Sequence, residues 1–245
     1  LTIALFFGVS LGSPSASLAA DCVVAANADL SSCDLSGRDL SNTDLRRSNL
    51  TGANLSGATL TNANLSGATL TNANLSTASL YGANLTGANL IGSNLTNADL
   101  TVANLTSANF NGANLTNADL TVATIRSAIF TGATLTGITA PNLRDATLPV
   151  QLPVNWVYRS GYFLGPGVNL SGATPPILAG LKLQGANLEN SNLSNNTLCG
   201  SDLSGAKLTG ANLTKTRFIS KGGGSNCTYY RGVAVLYEDA KLLGV

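Results

Sequence analysis

The chain has 245 residues, 44% hydrophobic and only 10% charged, with a formal net charge of +1 and no His. That length allows a sizeable core, while the near-zero charge argues against a surface built for nucleic acid or an anionic membrane. Without His, and with Glu189 and Glu238 as its only Glu residues, the chain lacks the usual general bases and several common metal ligands.

Leu1 to Ala20 begins as an apolar run, passes a Gly/Ser/Pro break and ends in small residues. This predicts a secretory signal peptide over 1–20, with Ser17 and Ala19 at the two small positions before cleavage. A helix capping the next segment is the alternative. The apolar run is too short for a membrane span, so no membrane insertion is expected after cleavage. With no basic n-region and no Met, the true start is expected upstream.

From Leu30 to Leu135 a leucine or larger apolar residue recurs at every fifth position, giving 22 consecutive pentapeptides. A small residue, usually Ala, stands two positions before each centre, as in Ala53-Asn54-Leu55 and Ala113-Asn114-Leu115. Asn, Asp or Thr lies between them, and Ser or Thr usually follows. A helix repeats its apolar face at about 3.6 residues and a strand at 2, so a period of five fits neither. The Asn, Thr, Ser and Gly content also disfavours helix. A solenoid satisfies the pattern, with each unit one short side and both centre and small residue pointing inward.

These units resemble the pentapeptide repeat protein family, whose A(D/N)LXX motif builds a right-handed quadrilateral β-helix. The resemblance implies an all-β fold with four units per coil. Coils would stack at about 4.8 Å, making the first array a rod of roughly 26 Å. Residues 20 apart should then share a column, so Asn54, Asn74, Asn94 and Asn114 should hydrogen-bond along the axis. Arg38, Thr43 and Ser48 occupy the small inward position, and an Arg cannot fill an Ala slot. The first coil is therefore expected to be open there or to have a displaced backbone, with a charged rim from Asp34, Asp39, Asp44, Arg46 and Arg47.

After Leu135 the spacing predicts a break: Thr136–Ala140 would add three residues, with centres reappearing at Leu143 and Leu148. Pro149 and Pro153 should end the coil. Trp156-Val157-Tyr158 and Tyr162-Phe163-Leu164, around Arg159-Ser160-Gly161, predict a hairpin with a three-residue turn. Alternation would put Trp156, Tyr158, Tyr162 and Leu164 on one face, with Val157 and Phe163 opposite. Val168–Gly172 looks like one repeat, and nine units follow from Leu178 to Phe218. The organisation expected is a signal peptide at 1–20, a cap and first array at 21–148, an insert at 149–176, a second array at 177–220, and a linker and cap at 221–245. Gly222-Gly223-Gly224 marks that last connector as flexible.

The four cysteines, Cys22, Cys33, Cys199 and Cys227, flank the repeats and allow three pairings. Close spacing favours Cys22 with Cys33 and Cys199 with Cys227, each stapling an end segment where stacked strands expose unpaired backbone. A metal site is disfavoured by the lack of His and of C-x-x-C spacing. Disulfides support export, to the periplasm, a thylakoid lumen or the extracellular space. The resemblance, most frequent among cyanobacteria, fits an exported bacterial member.

No G-x-S-x-G or P-loop occurs, so no catalytic residue, cofactor or metal is expected, and a hydrolase at the insert lacks a nucleophile with a base. The favoured reading is a non-catalytic exported scaffold presenting flat polar faces to an unknown protein partner. Trp156, Tyr158, Tyr162 and Phe163 are the candidate contacts, because amphipathic aromatics dominate interface hot spots; packing on the solenoid flank is the competing role. Some family members mimic DNA and protect topoisomerases, but that needs a strongly negative surface, and no charged residue lies between Ser48 and Ala98. A lattice- or glycan-binding face is opposed by Tyr81, Ile91, Val102 and Val122. The sequence does not distinguish a monomer from an end-to-end dimer.

Overall fold

The computed structural model describes residues 22–144 and 150–217. The 1–20 segment, Leu148, Phe218, Cys227 and the 221–245 cap therefore lie outside the described residues.

Each pentapeptide closes a turn. The carbonyl of a centre accepts the N–H three residues on, as from Ala53 to Leu50 (3.0 Å) and Ala58 to Leu55 (3.0 Å). The residue before that donor has positive φ, 65° at Gly52 and 64° at Gly57, which defines a type II turn and explains Gly or Asn there. The residue before the centre completes the corner from its side chain. Asn49 Oδ1 accepts the Thr51 N–H (3.2 Å) and hydroxyl (2.7 Å), an Asx turn that a carboxamide or carboxylate can make.

Between corners only one residue per unit pairs with its neighbour. Parallel bridges join residues 20 apart, from Asp29 with Asn49 to Thr124 with Arg144. Four pentapeptides therefore make one coil of a β-helix. Leu centres and Ala small residues fill the interior; from Leu45 to Phe130 every centre is 0% exposed. At Ser48, Ser93 and Ser191, which replace Ala, the hydroxyl returns to the carbonyl three residues back, Leu45 (2.8 Å), Leu90 (2.7 Å) and Leu188 (2.7 Å); that of Ser201 reaches the Leu178 carbonyl instead. That bond removes the cost of burying an unpaired hydroxyl.

The first coil keeps its register, contrary to the expectation of a displaced backbone. Arg38 N–H donates to Leu35 (3.2 Å) and its carbonyl accepts from Thr59 (2.9 Å). Its side chain is exposed, so the guanidinium leaves the Ala slot at the rim without disturbing the ladder. Ser48 is buried, and Arg46 pairs with Asp44 at 2.6 Å.

The expected break after Leu135 is not there. Asp119 bridges Thr139 and Thr124 bridges Arg144 at the regular spacing of 20. In this register Ile138 (0% exposed) fills the small slot and Ala140 (1%) the centre, while Leu143 (5%) takes the next small slot. Large and small have exchanged places, so the layer volume is nearly conserved, which cores tolerate. The real change comes between Arg144 and Gln151, because Ile129 bridges Gln151 at a separation of 22. The column of Thr139 then continues through Asn169 and Asn187 to Lys207, so Val168–Gly172 is a repeat and the later coils stand on the same stack.

Two strands form an antiparallel hairpin at this join: β1 (Val157–Arg159) and β2 (Tyr162–Leu164). Arg159 pairs with Tyr162, leaving a two-residue turn at Ser160 (φ 48°) and Gly161 (φ 85°) rather than the expected three. Positive φ at both central residues gives the turn whose twist suits a hairpin. Tyr158 faces Phe163 and Val157 faces Leu164. Directly paired residues share a sheet face, so Tyr158 lies with Phe163, and the expected grouping of Tyr158 with Tyr162 is corrected by one residue of register.

Candidate interaction site

The hairpin is half inside and half outside. Phe163 is fully buried, with its ring edge-on to Phe130 (5.2 Å between centroids, 79°), and Phe130 stacks on Phe110 at 4.9 Å. Tyr162 is 9% exposed and its hydroxyl donates to the Thr174 carbonyl (3.1 Å); burial pushes its phenol pKa up. Neither Phe163 nor Tyr162 offers a surface to a partner, so those two expected contacts are structural. Trp156 and Tyr158 are half-buried and pack against the core. A Cβ added to Gly165 would collide with Trp156 Cδ2, so the indole lies directly on that backbone.

Three aliphatic side chains around β1 remain exposed beside the polar Asn155 and Ser160. Val154 (86%), Val157 (37%) and Ile177 (57%) are open to solvent. Arg159 Nη1 donates to the Ile177 carbonyl at 2.8 Å, tying the hairpin to the segment that re-enters the stack. Asn196 anchors the same segment from inside: its Nδ2 donates to the carbonyls of Pro175 (3.3 Å) and Pro176 (3.0 Å), and its Oδ1 accepts the Leu178 N–H (3.0 Å). Sequence reasoning missed Val154, Ile177 and Asn196. An Asn in a slot filled mostly by Ala and Ser was the available signal for the last.

The coil faces carry directional ladders. Asn74 Nδ2 donates to Asn54 Oδ1 (3.2 Å), Asn94 to Asn74 (3.3 Å) and Asn54 to Asp34 (3.1 Å). Each of these Asn amides points toward the N-terminal coil, whose last member is a carboxylate that only accepts. Asp34 also accepts the Ser36 hydroxyl (2.7 Å) and N–H (3.1 Å), which hold it below the usual carboxylate range. Among the described residues no group of three Cys, Asp or Glu side chains is placed to hold a metal. Cys22 and Cys33 are bonded, with Cα atoms 6.0 Å apart, and Cys33 occupies a small inward slot. Cys199 is disulfide-bonded too, while its expected partner Cys227 lies outside the described residues.

Pentapeptide repeats match residues 28–67, 63–101, 103–139 and 177–218, in 8 copies covering well over half the chain. The chain belongs to the pentapeptide repeat family. Among solved structures it is similar to QnrB1, a plasmid-mediated fluoroquinolone resistance protein, at 20% identity over 74% of this chain and 73% of that one, with a TM-score of 0.39. It is similar to HetL, a pentapeptide repeat protein involved in heterocyst differentiation regulation in the cyanobacterium Nostoc, at 28% identity over 78% and 87% (TM-score 0.24). A third is a pentapeptide repeat protein from the Arabidopsis thaliana thylakoid lumen, 30% identical over 46% and 83% (TM-score 0.26). No curated protein matches. The family assignment rests on the repeat matches. As a pentapeptide repeat protein the chain is a scaffold, and the matches fall on either side of residues 140–176, where its hairpin lies. Among the described residues no helix is long and apolar enough to cross a membrane.

Proposed function

We propose that this pentapeptide repeat protein is a non-catalytic, exported interaction scaffold. Its four-unit coils support a right-handed quadrilateral β-helix with four flat, weakly charged faces, and the outer side of the hairpin is its contact for a protein partner. The observation that carries this reading is the exposure of Val154, Val157 and Ile177 together at the join, over a strand whose three residues are all buried. Buried β2 makes a rigid platform, and aliphatic side chains held on a rigid platform bind with little loss of conformational entropy. Tyr158 lies on the opposite, core-facing side with Phe163, and Trp156 packs on Gly165. The Leu and Ala interior supports the non-catalytic part of the reading, and the Cys22–Cys33 bond supports the exported part. DNA mimicry is not favoured, because the middle coils carry no acidic residue between Ser48 and Ala98.

The test is affinity capture from the native compartment with the intact chain and with a Val157→Lys/Ile177→Lys variant. Both side chains are exposed, so the melting temperature should stay within a few degrees. Loss of one co-purifying protein at unchanged stability supports the reading. Equal capture by both proteins would move the contact to the coil faces.

A further inference from the structure

A second surface lies along one corner of the first stack, reaching at its upper end the coil where the Leu143 N–H meets the hairpin turn at the Gly161 carbonyl (2.8 Å). The stretch Asn97–Ala103 reads Asn-Ala-Asp-Leu-Thr-Val-Ala, and Asn117–Ala123 repeats it residue for residue, one coil higher. Asp99 bridges Asp119, so the two carboxylates stand in one column. Val102 and Val122 likewise occupy one corner column. Tyr81 lies a coil below Thr101, whose carbonyl accepts the Gly82 N–H (2.9 Å), and Pro141 a coil above Thr121, its carbonyl accepting from Val122 (3.0 Å). Tyr81, Val102, Val122 and Pro141 thus form an apolar stripe climbing the corner, about 14 Å long at the usual strand spacing. Tyr81 is 46% and Val102 41% exposed, while Val122 and Pro141 are half-buried.

Folding does not require the two valines. The corner position has positive φ, and in the same column Asn42, Asn62, Gly82 and Asn142 supply it with residues that tolerate it. Val102 (φ 63°) and Val122 (φ 62°) are β-branched residues in the left-handed region, where their side chains crowd the backbone. The carboxylates also oppose stacking, since like charges on neighbouring strands repel. Among the described residues the ion pair that forms is Arg46–Asp44, and neither Asp99 nor Asp119 has a basic partner; Arg144, one coil up on the next face, pairs with neither. Both acids serve their turns, Asp99 accepting the Thr101 N–H (2.9 Å) and Asp119 the Thr121 N–H (2.8 Å); Asn, the other residue the repeat uses there, would do so without the repulsion.

We infer that this corner is a docking strip for a basic, apolar protein segment, whose Lys or Arg side chain lies between Asp99 and Asp119 while its aliphatic neighbours cover Val102, Val122 and Tyr81. Charge complementarity selects that occupant over a nucleic acid, which two carboxylates would repel, and over a neutral face of a second copy. A cation between the two acids removes their mutual repulsion, and the apolar contact covers the exposed stripe. The strip does not depend on the hairpin reading.

The probe is a fluorescein-labelled peptide, Leu-Arg-Leu-Arg-Leu, titrated with the full chain and followed by anisotropy, against Leu-Gln-Leu-Gln-Leu. The Arg peptide should bind at least tenfold more tightly than the Gln peptide, and its affinity should fall as salt is raised. Asp99→Asn/Asp119→Asn keeps a residue that the repeat uses at this position and should lose at least tenfold of that binding. Val102→Asn/Val122→Asn should lose as much while the melting temperature holds or rises, a combination that a purely structural role would not give. Equal binding of the two peptides, or full binding by either variant, overturns the inference. A concentration-dependent dimer in sedimentation, dispersed by Val102→Asn/Val122→Asn, overturns it too and assigns the stripe to a second copy.

Discussion

The coils from Leu50 to Leu135 and the join from Pro141 to Leu178 reach the same burial by different means. In the coils one Leu and one small residue per unit meet their own kind 20 residues away, and backbone ladders carry the chain from layer to layer. At the join the spacing lengthens, and side chains take over: Phe163 covers Phe130, Trp156 covers Gly165, Tyr162 reaches Thr174, and Asn196 holds Pro175 and Pro176. Repetition spreads stability over many equivalent neighbours, whereas the join depends on a few unique contacts. In a stacked architecture, whose stability is nearly a sum of unit and neighbour terms, such a place is where the upper coils can uncouple from the lower ones.

The largest effect should come from breaking a regular layer. Leu75→Asp replaces a fully buried centre with a charge. It should cost roughly 5 kcal/mol or more, the lost burial plus desolvation of the carboxylate. Urea unfolding should show the loss of a cooperative transition, while Thr61→Ser in the same stack should leave the midpoint within error. Next comes Phe163→Ala, expected to cost about 3–5 kcal/mol as an aromatic deletion in a core. Its signature is local. Hydrogen exchange should speed up in residues 167–217 and stay slow across residues 50–100; uniform acceleration would mean that the join is not a weak point.

Smaller effects sharpen the comparison at the N-terminal end. Cys33→Ala keeps a residue that the inward slot prefers and removes only the bond to Cys22, so it isolates the staple. A closed loop of this length is worth about 2–3 kcal/mol in the chain-entropy account, and exchange should accelerate in residues 22–45 alone. Acid should give the smallest change. Side-chain and backbone bonds from Ser36 and Ser41 hold Asp34 and Asp39 below their ordinary range, and Arg46 does so for Asp44. For such depressed carboxylates the stabilisation is present above the unfolded value of about 4 and is lost as pH falls through the lower folded value. Pepsin should therefore nick the first coil below about pH 4 before it cuts between Ser48 and Ala98, where no charged group exists to titrate. Cleavage starting in those uncharged coils would contradict the assignment.

Much of this molecule could be read from its sequence because each pentapeptide carries its own instructions. Gly or Asn after the centre sets the positive φ of the corner, Asn or Asp before it closes the turn, and Leu with Ala fills the interior. These are local requirements, and a strict period of five states them 22 times over. Where the local rule was silent, the tertiary structure decided. Ile138 and Ala140 look out of phase in sequence, yet they keep the register, because the ladder to Ala118 and Leu120 fixes the backbone (3.0 and 2.7 Å) and the core requires volume in the layer rather than at one position. The hairpin was legible from its aromatics and its Gly-containing turn, which the sequence made one residue too long, but not which strand goes inside. Alternation gives two faces and no preference between them; the contact with the Phe130 ring (5.2 Å between centroids) selects Phe163, and with it β2, as the buried strand.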